Sequence, residues 1–313
     1  MFDQMPVLIS QMKMFGSLIL IGFAAQKMKL LSEENINNLS ALLSKFIIPC
    51  MLVTMIPNGG TRAELLCGWK FLLCAIGIEF IMLVSGIITA KMLRFESAAR
   101  RNMHAIAVSF GNGGFIGVPL ITAVFPETGA IPGALFLLVE AIVCWTVGPV
   151  LADPSPGKKK IDFKKLVSPL TISIAIGAVL ILLNVNLKGY IFWDTLTSVG
   201  GTTKYFASIY VGLNIGRHGF KKILIDKRVF ASTPFKLVIF PVVAFLLFGK
   251  TGILTGDILL ILVLFAATPT GMGISILADM AGSDTEYATA GTLVNTILCL
   301  VTIPLVMQII AYI

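Results

Sequence analysis

Long apolar runs separated by short polar gaps dominate the pattern along the chain. A run of ~20 predominantly apolar residues is enough to cross the hydrocarbon core of a bilayer as a helix. Such runs fall near 6–25, 36–56, 69–91, 102–124, 129–151, 167–186, 195–216, 234–249, 256–279 and 288–312. The pattern predicts an all-α integral membrane protein with ten transmembrane helices, of which the eighth is the shortest. The leading Met1-Phe2-Asp3-Gln4-Met5 lacks the basic region and cleavage site of a signal peptide, so the first run is expected to stay as a helix.

The gaps carry the charge, and they carry it unevenly. Alternate gaps hold Lys27 and Lys29, then Lys91, Arg94, Arg100 and Arg101, then Lys158, Lys159, Lys160, Lys164 and Lys165, and last Arg217, Lys221, Lys222, Lys227 and Arg228. The intervening gaps hold only Arg62, Lys188 and Lys250. A basic excess marks cytoplasmic loops. Both termini are therefore expected outside the cell membrane, with the 152–166 loop in the cytoplasm. The same asymmetry explains the net charge of +8 without a nucleic-acid partner.

Composition agrees with this picture. Hydrophobic residues make up 57% of the chain and charged residues 13%, too few charges to cover a water-soluble fold of this size. Cys50, Cys67, Cys74, Cys144 and Cys299 show no CxxC spacing and mostly sit in apolar runs, which reads as packing rather than metal ligation.

The most polar, helix-breaking stretch, Asp153-Pro154-Ser155-Pro156-Gly157-Lys158-Lys159-Lys160, lies midway, with five expected spans on either side. An odd number of spans per half gives the second half the opposite orientation. The expected organisation is two inverted five-helix repeats, 1–151 and 167–313, joined by a cytoplasmic linker, 152–166. Secondary transporters are often built this way.

Two spans are unfit as plain helices. The fourth contains Gly111-Asn112-Gly113-Gly114-Phe115-Ile116-Gly117-Val118-Pro119, and the ninth contains Ala267-Thr268-Pro269-Thr270-Gly271-Met272-Gly273-Ile274-Ser275. Proline removes a backbone donor and glycine adds chain entropy. Freed backbone groups at membrane depth are tolerated only in protein or beside a wet cavity. Each motif occupies the fourth span of its half, and paired interruptions of this kind point to a transporter's binding site. The exposed N–H groups of a broken helix suit a carboxylate. Close helix packing is the alternative use of such glycines, and it is the reading for Gly129/Gly133 and Gly212/Gly216.

These motifs resemble the auxin efflux carrier family, which includes plant auxin exporters and bacterial permeases. The resemblance rests on Asn112-x4-Gly117-x-Pro119-Leu120, on Pro269-Thr270-Gly271, and on Ala278-x3-Gly282-x-Asp284 followed by Thr296 and Pro304. Leu30-Leu31-Ser32-Glu33 leading to Pro49 extends it toward the N-terminus. It implies a ten-helix fold whose crossing broken helices 4 and 9 form the substrate site, and transport of organic anions such as malate, malonate or auxin. The long central loop of the plant exporters is absent here, which weighs against auxin. The resemblance also allows a homodimer, for which no residue is diagnostic.

The expected substrate-binding residues are Asn112, Gly113, Gly117, Pro119, Pro269, Thr270, Gly271 and Ser275. Glu79, Glu140 and Lys204 are charged positions inside spans, where insertion costs ~2.5–3.5 kcal/mol each. Three readings stay open for them: a structural ion pair, a proton-coupling carboxylate, or a substrate-binding cation. No metal cluster, cofactor motif or phosphate-binding loop appears, and Gly273-Ile274-Ser275-Ile276-Leu277 does not complete a nucleophile elbow. The expected function is a secondary transporter of small organic anions working by alternating access. A sodium-coupled symporter of related fold and a transport-inactive sensor are the alternatives.

Overall fold

The computed structural model describes residues 4–155, 163–218 and 226–312. Among them there is helix and no named strand. Lys158, Lys159, Lys160, Lys221 and Lys222, which belong to the expected basic loops, lie outside the described residues.

The first half comprises α1 (Met5–Lys27), α2 (Glu33–Gly59), the short α3 (Arg62–Cys67), α4 (Trp69–Met92), α5 (Ala98–Ser109), α6 (Gly113–Val124) and α7 (Ala130–Ala152). The second comprises α8 (Pro169–Leu182), α9 (Ile191–Gly201), α10 (Thr203–His218), α11 (Lys227–Gly249), α12 (Gly256–Ala266), α13 (Gly273–Met280) and α14 (Thr285–Tyr312). Six of these, α1, α2, α4, α7, α11 and α14, are long and apolar enough to cross a membrane.

Local chemistry fixes the starts. Ser32 accepts a hydrogen bond from the Asn35 amide, and Ser168 forms a reciprocal cap with Thr171. Thr61 and Glu64 form a capping box that creates α3, which apolar periodicity does not register. Asp226 accepts from the Arg228 amide, so α11 begins seven residues before the expected 234. The expected span 195–216 is divided at Thr202 into α9 and α10.

Packing sorts the helices into two groups. In one, α1 lies along α10, and α2 packs on α8 and α9. The backbones of α1 and α10 touch: a Cβ on Gly22 would strike the Ile209 carbonyl, and one on Gly212 the Ile19 carbonyl. Gly216 likewise faces Gln26. The Gly129/Gly133 pair serves otherwise, since Gly129 abuts its own turn at Phe125 and Gly133 makes ordinary contacts only. In the other group, α4 packs on α5 and α7, α11 on α12, and α14 on α5 and α13.

Polar contacts staple the two ends of the bundle. At one end Gln4 donates to Asp257 (3.0 Å), Thr128 donates to the same carboxylate (3.3 Å), and Trp193 donates to Asn58 (2.9 Å). We call this the N-terminal face. At the other, the central-loop face, Asn102 donates to the Asp153 carbonyl (3.1 Å) and Arg217 pairs with Glu33 (2.9 Å). Arg100 there bridges Asp226 (3.2 Å) and Asp284 (3.0 Å).

Candidate functional site

Two interrupted helices meet in the interior. Helix α5 ends at Ser109, Phe110 turns extended, and α6 begins at Gly113 through a wide turn in which the Asn112 carbonyl accepts from both Ile116 and Gly117 (3.0 Å each). Helix α12 ends at Ala266, and α13 starts at Gly273. The breaks pass antiparallel to one another with Gly111 opposite Thr270, and the Gly271 amide donates to the Phe110 carbonyl (3.2 Å). A side chain at position 271 would strike the Gly111 carbonyl, so only glycine permits this approach.

Side chains pin the crossing. Thr270 donates to the Ala107 carbonyl and accepts from Asn295, both at 2.7 Å, while Thr292 donates to the Gly271 carbonyl (3.2 Å). Thr270 and Asn295 are fully buried. Sequence reasoning did not single out Asn295 or Thr292; both come from a helix whose apolar pattern gives no sign of a polar seam.

A cavity of about 270 Å³ opens beside the crossing, lined by Asn112, Gly113, Glu140, Tyr210, Gly271 and Gly273 among others. The first residues of α6 and α13 both border it, so two helix N-termini, each carrying partial positive charge, face one space. Asn112 is 3% exposed and its Nδ2 has no hydrogen-bond partner. A buried unpaired amide donor costs ~1–3 kcal/mol.

The expected residues divide at this point. Asn112, Gly113, Gly271 and Glu140 border the cavity. Thr270 serves the crossing, and Ser275 turns to Thr289 of α14 (3.0 Å). Gly117 packs against the Phe265 ring, Pro119 borders a different cavity, and Pro269 borders neither.

The charged groups rearrange the expectation further. Glu140 accepts from the amides of Gly111 (2.7 Å) and Gly113 (3.2 Å), so one of the protein's own carboxylates already holds two N–H groups of the break. Glu79 is 1% exposed, and neither of its carboxylate oxygens has a hydrogen-bond partner. The cation near them is Lys236 of α11, fully buried, donating to the Ser109 carbonyl (3.2 Å) and reaching Met82 Sδ (3.6 Å). A Cβ built on Gly111 would lie 2.7 Å from Glu140 Oε1 and 3.4 Å from Lys236 Nζ, so anion and cation converge on that turn. Glu79, Glu140 and Lys236 act electrostatically on one another.

Lys204, for which an ion pair with these glutamates is one of the open readings, sits one residue into α10 with its ammonium 5.0 Å from the Tyr205 ring centroid and borders the same cavity as Pro119. The signal for Lys236 was present in the sequence, but a span begun at 234 leaves that lysine at a helix end. The Asp226 cap moves the start back and places Lys236 mid-helix.

The family model described as "Membrane transport protein" (Mem_trans) matches the chain twice, over residues 8–162 and 157–307. A Rhizobium meliloti protein named "Putative malonate transporter" is 23% identical over 299 residues, covering 92% of this chain and 91% of that protein. An "Uncharacterized transporter" of Methanothermobacter thermautotrophicus is 22% identical over 306 residues, covering 92% and 93%. The chain is thus a multi-pass membrane protein, and it belongs to the Mem_trans family of membrane transport proteins, the auxin efflux carrier family.

Proposed function

We propose that the protein is a secondary transporter of small carboxylates, with a dicarboxylate of malonate size as the best candidate, and that it works by alternating access. The observation that carries the reading is the cavity at the crossing, bordered by Asn112 and by the first residues of α6 and α13, that of α6 already held by Glu140. The name of the Rhizobium meliloti relative supports the substrate class.

The architecture proposed with it is ten spans in two inverted five-helix repeats, 1–151 and 167–313, joined by 152–166. The twofold family match and the two interruptions, each in the fourth span of its half, favour this reading. The basic loops favour a cell-membrane orientation with both termini outside. In the cycle, the group containing α4–α7 and α11–α14 moves against the group containing α1, α2 and α8–α10.

Coupling is assigned to the buried charges. Two carboxylates beside one ammonium carry a net negative charge when all are ionised, and one proton makes the group neutral. Glu140 reports that proton to the substrate because it shares the turn at Gly111–Gly113 with Asn112. Proton symport follows, in preference to sodium.

The test is uptake of labelled malonate into proteoliposomes under an imposed proton or sodium gradient. Wild-type protein should show saturable uptake accelerated by the proton gradient, and Asn112→Ala should lower the rate at least tenfold while leaving the melting temperature near wild type. Uptake that ignores pH, or runs on sodium alone, would refute the coupling. Wild-type rates in a folded Asn112→Ala protein would remove Asn112 from the site.

A further inference from the structure

A second cavity, of about 340 Å³, lies on the other side of the crossing. Its lining includes Thr54 and Asn58 of α2, Pro119 and Thr122 of α6, Thr197 of α9 and Lys204 of α10. Asn58 also receives the Trp193 hydrogen bond of the N-terminal face, which fixes the end of the bundle to which this cavity belongs. It sits between the two helix groups, as the first cavity does.

The barrier between the cavities is thin. Along α6, Phe115 borders the first and Pro119 the second, four residues apart, or about 6 Å at the helical rise. Along α10 the corresponding residues are Tyr210 and Lys204, about 9 Å apart by the same rise. Phe115 and Tyr210 stack across the gap with ring centroids 5.8 Å apart.

Charge and hydrogen bonding in the second cavity point one way. Lys204 is the single charged residue among those lining it, and none is acidic. Its ammonium forms no hydrogen bond or ion pair among the described residues. The hydroxyls of Thr54, Thr122 and Thr197 donate to the Cys50, Val118 and Trp193 carbonyls of their own helices, each at 2.9 Å. Asn58 Nδ2 is held by Thr197 (3.2 Å). The donors left for a visitor are the ammonium and the second N–H of the Asn58 amide, and with the ammonium as the one charge in the lining such a site selects chiefly by charge.

We propose that Lys204 and its cavity form a second anion station, holding a carboxylate between the crossing and the water at the N-terminal face. The station rests on the carboxylate-transport reading but is separate from the crossing in position and in donors. Half-exposed and with one cation, it holds its anion loosely and is screened by salt, which suits a place of passage.

The test probes occupancy and transport separately, using malonate. Vesicles presenting the N-terminal face outward are treated with a membrane-impermeant acetylating reagent, and modification is read at each lysine by peptide mass spectrometry. Malonate should slow acetylation of Lys204 at least threefold and leave Lys188 and Lys250 unchanged. Lys204→Gln should raise the apparent KM for malonate from that face at least threefold, with the maximal rate within twofold of wild type, and Lys204→Arg should restore the KM. Acetylation indifferent to malonate, or a wild-type KM in Lys204→Gln, would overturn the station. Should wild-type protein protect Lys204 yet move no malonate, the transport reading fails and the station stands. Should malonate be moved with Lys204 unprotected, the station fails alone.

Discussion

At the scale of single residues, Lys236 is the side chain on which the interior most depends. Moving an ammonium and two carboxylates out of water is tolerable only while they remain near one another and bonded to backbone. Lys236 meets the Ser109 carbonyl, and Glu140 meets two amides, whereas Glu79 has no such bond. Removing one member of a buried charge set typically costs about 3–5 kcal/mol, because the remaining charge stays uncompensated. Lys236→Met should therefore destabilise the detergent-solubilised protein by about that amount, and adding Glu79→Gln should recover part of the loss. Thermal unfolding of the single and double variants checks this. A single variant as stable as wild type would mean that the lysine does not balance the glutamates.

At the scale of elements, the crossing depends on backbone meeting backbone. Gly271→Ala places a methyl group on the Gly111 carbonyl, and the two extended segments would have to separate. Gly273, two residues on at the start of α13, has open space where a Cβ would go. Gly271→Ala should abolish malonate uptake and lower the melting temperature by several degrees. Gly273→Ala should be neutral or slightly stabilising, by up to about 1 kcal/mol, because alanine loses less chain entropy in a helix. Equal behaviour of the two variants, seen by melting and uptake together, would contradict the close approach. The existence and pairing of the interruptions were legible in the chain, since Pro119, Pro269 and the glycines around them disfavour continuous helix. What crossed them was not legible. Thr270, Asn295 and Thr292 form a polar seam through contacts distant in sequence, and the capture of the Gly111 and Gly113 amides by Glu140 depends on how α7 lies against α5 and α6. Periodicity reports which face of a helix is apolar; it carries no information about which buried carboxylate reaches which freed amide.

At the scale of the whole molecule, an ionic cluster joins three helices at the central-loop face. Arg100 from the start of α5 reaches Asp226, ahead of α11, and Asp284, ahead of α14; Arg228 binds the same Asp226 carboxylate (3.0 Å). Burial opposes ionisation of Asp226, but hydrogen bonds from Arg228 and the charges of Arg228 and Arg100 outweigh it and hold the carboxyl below its ordinary value. A depressed carboxyl contributes stability above its unfolded pKa and loses it as pH falls through the folded value. The cluster should therefore weaken only in acid, below the usual aspartate range of about 4. Because the arginines are one-third exposed, the contribution is discounted to about 1 kcal/mol. Asp226→Asn should lower the melting temperature slightly at neutral pH and flatten its fall between about pH 5 and about pH 3. An unchanged acid limb would show that other carboxylates govern it.

The reciprocal glycines of α1 and α10 have a consequence for how the chain is made. Gly22 and Gly212 let two backbones touch, yet α10 follows α1 by roughly 190 residues. At about 5–20 residues per second, the ribosome delivers the partner on the order of 10–40 s after the first helix has left the exit tunnel. Throughout that interval the seam of α1 is open to lipid tails, which fill a glycine groove poorly. Helix α1 is thus inserted well before it is seated, and closure of this seam marks late assembly rather than its beginning.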